Sequence, residues 1–183
     1  MLVEVLRQHY RNLWGEPSRT AHFTIMSKET DILKWDAEIN PEGVCLYATA
    51  GVSEYPLAEY DPTHRLEFFT GLLPAQDAIA RPLAMLALSP VIRGTHLAAN
   101  HTVTFPEPLW GDTDMHGFLV RGPKAEIVPP LALDNVHIEF LQAIPVFPSE
   151  VAFKSKHGAD ALIRAWQEAN VPYWDPNRSP HPA

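Results

Sequence analysis

Three groups of side chains in this sequence have types and spacings that could support chemistry. The first surrounds Ser53 in Gly51-Val52-Ser53-Glu54-Tyr55, which begins like the nucleophile elbow of hydrolases. The second glycine of that motif is absent, and a proline-bearing loop follows where the elbow requires a helix. We therefore interpret Ser53 as a turn residue rather than a nucleophile.

The second group is a possible metal site formed by Asp112, Asp114 and His116. Carboxylates and imidazoles this close together could bind a divalent ion. The stretch nevertheless lacks the glycine and the distal glutamate of a calcium loop. The nine histidines are also spread evenly along the chain. We expect a solvated turn here, with no metal and no cofactor.

The third group is the pair of carboxylates Glu67 and Glu139, both on predicted strands. Such a pair could act as general acid and base. An exposed strand face, or an ion pair between Glu67 and Arg65, accounts for the same residues without catalysis. The motifs HExxH, CxxC, GxGxxG and the Walker loop are all missing. We assign no catalytic residue and predict that the protein is not an enzyme.

Composition narrows the class of partner. The chain has 183 residues, enough for one domain, with 14 basic and 22 acidic residues and a net charge of −8. Because no cluster of Lys or Arg is present, binding to nucleic acid or to an anionic membrane is disfavoured. The charge suits a basic protein partner, although solubility alone also favours an acidic surface.

The expected location follows from cysteine use and hydropathy. Cys45 is the one cysteine, so no internal disulfide can form. No run of 18 apolar residues exists, and the N-terminus lacks the layout of a signal peptide. These features lead us to expect a cytoplasmic protein.

The elements that must position these groups centre on residues 44–73. Two runs with the two-residue period of strands flank a polar, proline-bearing connection of about fifteen residues. Loops of that length are uncommon in compact domains and are often functional. This connection is therefore the first place to look for a binding surface.

Periodicity predicts the remaining elements. We predict strands at 22–26, 34–39, 44–49, 66–71, 101–106, 118–120 and 136–144. We predict helices at 3–13, at 74–88 with a kink at Pro82, at 150–157 capped by Ser149, and at 159–169. The fold class is α+β, with a mixed, largely antiparallel β-sheet flanked by helices. We expect one domain over residues 1–170 and a proline-rich tail over 171–183, docked through Tyr173 and Trp174.

Five blocks of sequence follow one another along most of the chain. The blocks are Leu46-Tyr47-Ala48-Thr49-Ala50-Gly51-Val52-Ser53, His64-Arg65-Leu66-Glu67-Phe68, Pro90-Val91-Ile92-Arg93-Gly94-Thr95, Ile138-Glu139-Phe140-Leu141-Gln142-Ala143-Ile144-Pro145, and Glu150 with Gly158 and Leu162. No single block is specific, but their order and spacing together resemble the suppressor of fused family, in a bacterial, single-domain form.

The resemblance implies the α+β fold, no enzymatic activity and a protein partner. The animal relative inhibits a transcription factor by holding a peptide as an added strand, and it has a second domain after this one. That clamp cannot be carried over to a single domain. Bacterial single-domain relatives are regarded as immunity proteins, each neutralising a cognate toxin.

Two loops have the composition expected of a partner-binding surface, in which aromatic residues lie beside carboxylates. The first, residues 53–64, contains Tyr55, Glu59, Tyr60 and Asp61. The second, residues 109–116, contains Trp110, Asp112 and Asp114. The alternative is that the aromatic rings fold back onto the domain.

Three functions remain open at this point. One is an immunity protein that neutralises a toxin by direct binding. Another is a general regulatory or interaction domain without a toxin partner. The third is a small hydrolase or metal-dependent enzyme, which the missing motifs disfavour. The sequence does not indicate the oligomeric state.

Overall fold

The computed structural model describes residues 2–57 and 61–182, which form four α-helices and eight strands. The helices are α1 (Leu2–Trp14), α2 (Ala80–Arg93), α3 (Pro148–His157) and α4 (Ala159–Glu168). The strands are β1 (Arg19–Ile25), β2 (Lys28–Trp35), β3 (Cys45–Ala50), β4 (His64–Leu72), β5 (Thr102–Thr104), β6 (Gly117–Pro123), β7 (Leu131–Leu133) and β8 (Val136–Val146). Within the described ranges, no helix is long and apolar enough to cross a membrane.

All eight strands belong to one sheet, in the order β1-β2-β3-β4-β8-β6-β5, with β7 paired to β8. The central pair, β4 and β8, is parallel, and every other pair is antiparallel. The prediction of an α+β fold with a mixed, largely antiparallel sheet is confirmed.

One face of the sheet packs against α2. Leu83, Leu86 and Ala87 of the helix are fully buried against inward side chains of the central strands. On β4 these are Leu66, Phe68 and Leu72. Successive strand residues point to opposite faces, so the residues between them must pack elsewhere.

The opposite face is covered in two places. Leu6, Tyr10 and Trp14 of α1 pack against one cluster of strand residues, and the Tyr10 hydroxyl donates to the Thr49 carbonyl at 3.0 Å. Leu162 and Trp166 of α4 pack against Leu119, Ile144 and Val146 farther along the sheet. Phe140 belongs to the α1 cluster, whereas Leu66 and Phe68 lie on the other face of the same sheet.

The predicted strand at 34–39 is displaced in the structure. The strand is β2, which ends at Trp35, and residues 37–39 form a turn. The Asn40 amide closes this turn by donating to the carbonyls of Asp36 at 2.7 Å and Val44 at 2.9 Å. The apparent alternation of Ala37 and Ile39 therefore belongs to a loop, and Ile39 is exposed. The strand β1 pairs antiparallel with β2 and forms a hairpin.

Helix α2 differs from the prediction at both proline positions. Pro82 is the third residue of the helix, where an amide hydrogen has no partner within the helix, so it produces no kink. Pro90 lies inside the helix, which continues to Arg93. Pro90 cannot donate to the Leu86 carbonyl, and the Ser89 hydroxyl does so instead at 2.8 Å. Gly94, with φ of 63°, ends the helix.

The predicted cap of α3 is also wrong. The helix begins at Pro148, so Ser149 is inside its first turn. The Glu150 carboxylate accepts a hydrogen bond from the Phe147 amide at 3.0 Å and closes the helix start from within.

Candidate partner-binding loops and the buried carboxylate

Ser53 and Glu67 form a fully buried polar pair at the end of β3. Ser53 lies in a short 3-10 turn, Val52–Glu54, and its hydroxyl donates to Glu67 Oε1 at 2.6 Å. Both residues have no exposed surface. The partner of the serine is thus a carboxylate in the interior rather than a histidine at a cleft. A substrate cannot reach this hydroxyl, so the geometry does not suit nucleophilic catalysis.

The Glu67 carboxylate accepts three further hydrogen bonds. The amides of Gly51 and Ser53 donate to Oε1 at 3.1 Å and 2.9 Å, and the Thr49 hydroxyl donates to Oε2 at 2.5 Å. Burial raises the pKa of Glu67, and these hydrogen bonds oppose that rise. The carboxylate fixes the turn that follows β3. Our expectation of an exposed Glu67, or of an ion pair with Arg65, is wrong.

Glu139 lies apart from this centre and does not form an acid pair with Glu67. Its carboxylate Oε2 is 3.6 Å from Nε2 of His64, at the start of the parallel pair of strands. Glu139 registers with Leu66 on β4, and Glu67 registers with Phe140 on β8. The two carboxylates therefore leave the sheet on opposite faces.

In the first predicted loop, the structure describes Tyr55 and Asp61, while Glu59 and Tyr60 lie outside the described residues. Tyr55 is partly buried, its hydroxyl accepts a hydrogen bond from the Glu29 amide at 2.9 Å, and the Lys28 ammonium lies 4.6 Å from its ring centre. Asp61 is exposed. Hydrogen bonds from the Thr63 hydroxyl and amide lower the pKa of the Asp61 carboxyl group.

The second predicted loop is held firmly by its apolar side chains. Leu109, Trp110 and Met115 all lie in the core beneath α2, and Trp110 is only 8% exposed. The Leu109 amide donates to the Met115 carbonyl at 2.9 Å, which closes the loop on itself. Trp110 thus folds back onto the domain, the alternative considered for the aromatic rings. Its assignment to a binding surface remains a prediction.

The same loop carries exposed carboxylates. Asp112 and Asp114 point outward, and Glu107 precedes them on the same segment. No Lys or Arg occurs from residue 95 to residue 120. None of these three carboxylates forms an ion pair within the ranges that the structure describes. We call Glu107, Asp112 and Asp114, with the loop that presents them, the acidic loop.

The two predicted loops lie at opposite ends of the sheet. The first leads into β4 at His64, which registers with His137 at the start of β8. The acidic loop leads into β6 at Gly117, which registers with Val146 at the end of β8. An eleven-residue strand is roughly 30 Å long, so the loops form two separate surfaces.

Asp112, Asp114 and His116 do not assemble into a metal site. Among the residues described, no group of three or more His, Cys, Asp or Glu side chains could hold an ion. His116 is held by its backbone: its carbonyl accepts from the Phe105 amide at 2.7 Å and its amide donates to the Val146 carbonyl at 3.2 Å.

The architecture, a mixed, mostly antiparallel sheet with α-helices on both faces, places the chain in the α+β class. The family model for suppressor of fused protein (SUFU) matches residues 27–179. The chain belongs to the suppressor of fused family, as the resemblance predicted. No curated protein sequence matches the chain.

Solved structures of the family share this fold at low sequence identity. The suppressor of fused homologue from Neisseria gonorrhoeae is 18% identical with a TM-score of 0.71, and the alignment covers 98% of this chain and 96% of that one. The structure of the Sufu–Fu complex is 13% identical with a TM-score of 0.70, and the alignment covers 97% of this chain and 91% of that one. Drosophila Suppressor of Fused is 14% identical with a TM-score of 0.67, and this chain covers 49% of its length.

Proposed function

We propose that this chain is a non-enzymatic protein-binding domain that neutralises a protein partner by direct contact. Its family and fold support a binding role, because a similar structure is that of a relative, Sufu, in complex with Fu. The observation that carries the proposal is the acidic loop, where buried residues hold a short segment in place and its carboxylates face outward.

The acidic loop is suited to a basic surface on the partner. Glu107, Asp112 and Asp114 have no cation beside them within the described residues, so a partner's Lys or Arg can approach without displacing an existing ion pair. The loop is also preorganised by Leu109, Trp110 and Met115, so little conformational entropy is lost on binding. Trp110 supports this surface from beneath.

The first loop is a second, separate contact in this proposal. Tyr55 and Asp61 are held by hydrogen bonds at the other end of the sheet, and Glu59 and Tyr60 complete the predicted surface. A partner that touches both loops must span roughly 30 Å, the length of β8.

We propose further that the partner is a cognate toxin, as the resemblance to bacterial single-domain members implies. A regulatory interaction without a toxin is the second candidate. A hydrolase receives no support, because the hydroxyl of Ser53 and the carboxylate of Glu67 are both sealed in the interior.

The proposal is tested by capture in the native host followed by reconstitution. The tagged chain is cross-linked in cells, the captured protein is identified by mass spectrometry, and both proteins are purified and mixed. A stable complex supports protein binding. If the partner arrests cell growth and this chain relieves the arrest, the partner is a toxin. Failure of the purified proteins to associate contradicts the proposed function, while association without toxicity favours the regulatory candidate.

A further inference from the structure

The helices α1 and α4 cover the same face of the sheet, and a groove crosses this face between them. It consists of two adjoining pockets of about 390 Å³ and about 270 Å³, which share Gln142, Tyr173 and Trp174. The larger pocket lies against α4 and the smaller one over Leu46, Phe69 and Gly71. Volumes near 300 Å³ and above are typical of sites that bind small ligands or side chains. We call these two pockets together the sheet groove.

Gln142 is the polar centre of the sheet groove. It lies on β8 between Phe69 of β4 and Arg121 of β6, and it is only 8% exposed. Its side-chain amide has no hydrogen-bond partner among the residues described, and its polar atoms are open to the two pockets that it lines. Because no protein group uses this amide, its oxygen can accept from a ligand in the groove and its nitrogen can donate to one.

The larger pocket has a charge opposite to that of the whole protein. Arg121 and Lys124 line it, and no carboxylate does, although the chain has a net charge of −8. Arg121 uses one bond to Asn100 Oδ1 at 2.7 Å, which leaves other guanidinium hydrogens for a ligand. The Lys124 ammonium is 3.9 Å from Glu126, a loose pair. This end of the groove is suited to a carboxylate.

Aromatic rings form the apolar part of the groove. Tyr173 and Trp174 are 36% and 41% exposed, which is high for such large apolar side chains. The Tyr173 ring stacks on that of Trp166, with ring centres 6.3 Å apart, and Trp174 packs edge-on against Tyr173 at 5.2 Å. Exposed aromatic residues at a concave site are typical of binding positions.

The two ends of the sheet groove differ in charge. Arg121 and Lys124 line the larger pocket beside α4, and Glu42 lines the smaller pocket. An extended chain that ends in the cationic pocket places its carboxylate beside Arg121 and Lys124, and the residues before it lie along the smaller pocket. A free small acid fills only the larger pocket and leaves the continuous second pocket unused.

We propose that the sheet groove binds the C-terminus of a peptide chain whose last residue is aromatic or large and apolar. The terminal carboxylate pairs with Arg121 and Lys124, the last side chain packs on Tyr173 and Trp174, and Gln142 bonds to the peptide backbone. This site lies apart from the acidic loop and does not depend on the function proposed for it.

The probes are N-acetyltryptophan, N-acetyltryptophanamide, and a five-residue peptide of glycine and leucine that ends in tryptophan with a free carboxylate. Each is titrated to about 10 mM into the full chain labelled with nitrogen-15, and the side-chain signals of Gln142 and Trp174 are followed. We expect the free acid to bind about tenfold more tightly than the amide, and the peptide about tenfold more tightly than the free acid.

Variants separate electrostatics from packing. Lys124→Glu is expected to abolish the preference for the carboxylate while the amide still binds, and the same change at the exposed Lys156 of α3 is expected to leave binding unchanged. Thermal melting of each variant establishes that it is folded. Equal binding of acid and amide, or no change in the Gln142 and Trp174 signals with any probe, overturns the proposal. Equal affinity for the peptide and N-acetyltryptophan overturns the assignment to a peptide and indicates a small free acid.

Discussion

Arg178 and Glu150 form an ion pair that is sealed inside the protein. Arg178 Nη1 lies 2.6 Å from Glu150 Oε1, Nη2 lies 2.9 Å from Oε2, and both side chains are at most 1% exposed. The guanidinium also donates to the Pro145 carbonyl at 3.0 Å and lies over the rings of Phe147 and Trp166. The proline-rich tail is therefore joined to α3 and to the end of β8.

Breaking this pair is expected to destabilise the whole domain. Arg178→Ala leaves the Glu150 carboxylate buried with only backbone donors, and loss of one partner of a buried pair costs about 3–5 kcal/mol. Urea unfolding followed by tryptophan fluorescence measures the change. Arg164→Ala, at an exposed site on α4, is the matched control and is expected to cost less than about 0.5 kcal/mol. Equal losses for the two variants contradict a structural role of the tail.

Glu67 is expected to tolerate an amide far better than truncation. Glu67→Ala leaves the donors of Thr49, Gly51 and Ser53 unsatisfied in the interior, at a cost of at least about 3 kcal/mol. Glu67→Gln keeps an oxygen for the amides of the turn and removes a buried charge, so its loss should be smaller. Denaturant unfolding at pH 7 compares the two. A glutamine variant as unstable as the alanine variant argues that the charge itself is required.

His9 is expected to make stability depend on pH. Burial lowers the pKa of this imidazole below its usual value of 6.5, and its ring stacks on Phe140. The unfolded chain therefore takes up a proton more readily, and the contribution of His9, complete above pH 6.5, is lost as pH falls below that value.

The measurement is the free energy of unfolding of wild type and His9→Gln between pH 7.5 and pH 5, an interval of about 2.5 pH units around the ordinary histidine pKa. The variant is expected to lose less stability than wild type as pH falls. Parallel curves for wild type and His9→Gln contradict the role assigned to His9.

Phe140 should be among the most sensitive core positions. It is fully buried under α1, and its ring contacts Tyr10 edge-on with centres 5.6 Å apart. Phe140→Ala is expected to cost about 3–5 kcal/mol. Phe23→Ala, at a partly exposed site on the edge strand β1, should cost roughly 1 kcal/mol. Chemical denaturation measures both, and a loss below about 1 kcal/mol for Phe140→Ala contradicts the register of β8.

Local patterns in the sequence were sufficient to predict the fold class and most strands. The apolar alternation of Val136, Ile138 and Phe140 marked β8 because one face of that strand is buried along its length. The alternation of Ala37 and Ile39 predicted a strand where there is a turn, because a short pattern cannot show where pairing with β3 ends.

Residues whose partners are distant in sequence could not be assigned in this way. Glu67 is a charged residue in a strand, and its donors lie 14 to 18 residues away, in β3 and in the turn after it. Arg178 lies 28 residues from Glu150. The sequence does distinguish Gln142 from its neighbours, because it is a polar residue within the apolar run of β8. Only the arrangement of β4, β6 and the tail around it reveals a groove.

The most direct test of the account is the affinity of the purified partner for the acidic-loop variant Asp112→Lys/Asp114→Lys. Titration calorimetry and stopped-flow binding at low and physiological salt compare it with wild type. We predict at least tenfold weaker binding, chiefly through slower association at low salt, because steering by exposed charges is screened over about 10 Å at 0.1 M salt. Asp134→Lys, an exposed change in the turn between β7 and β8, is predicted to bind like wild type. Unchanged affinity and association rate for the acidic-loop variant contradict the account.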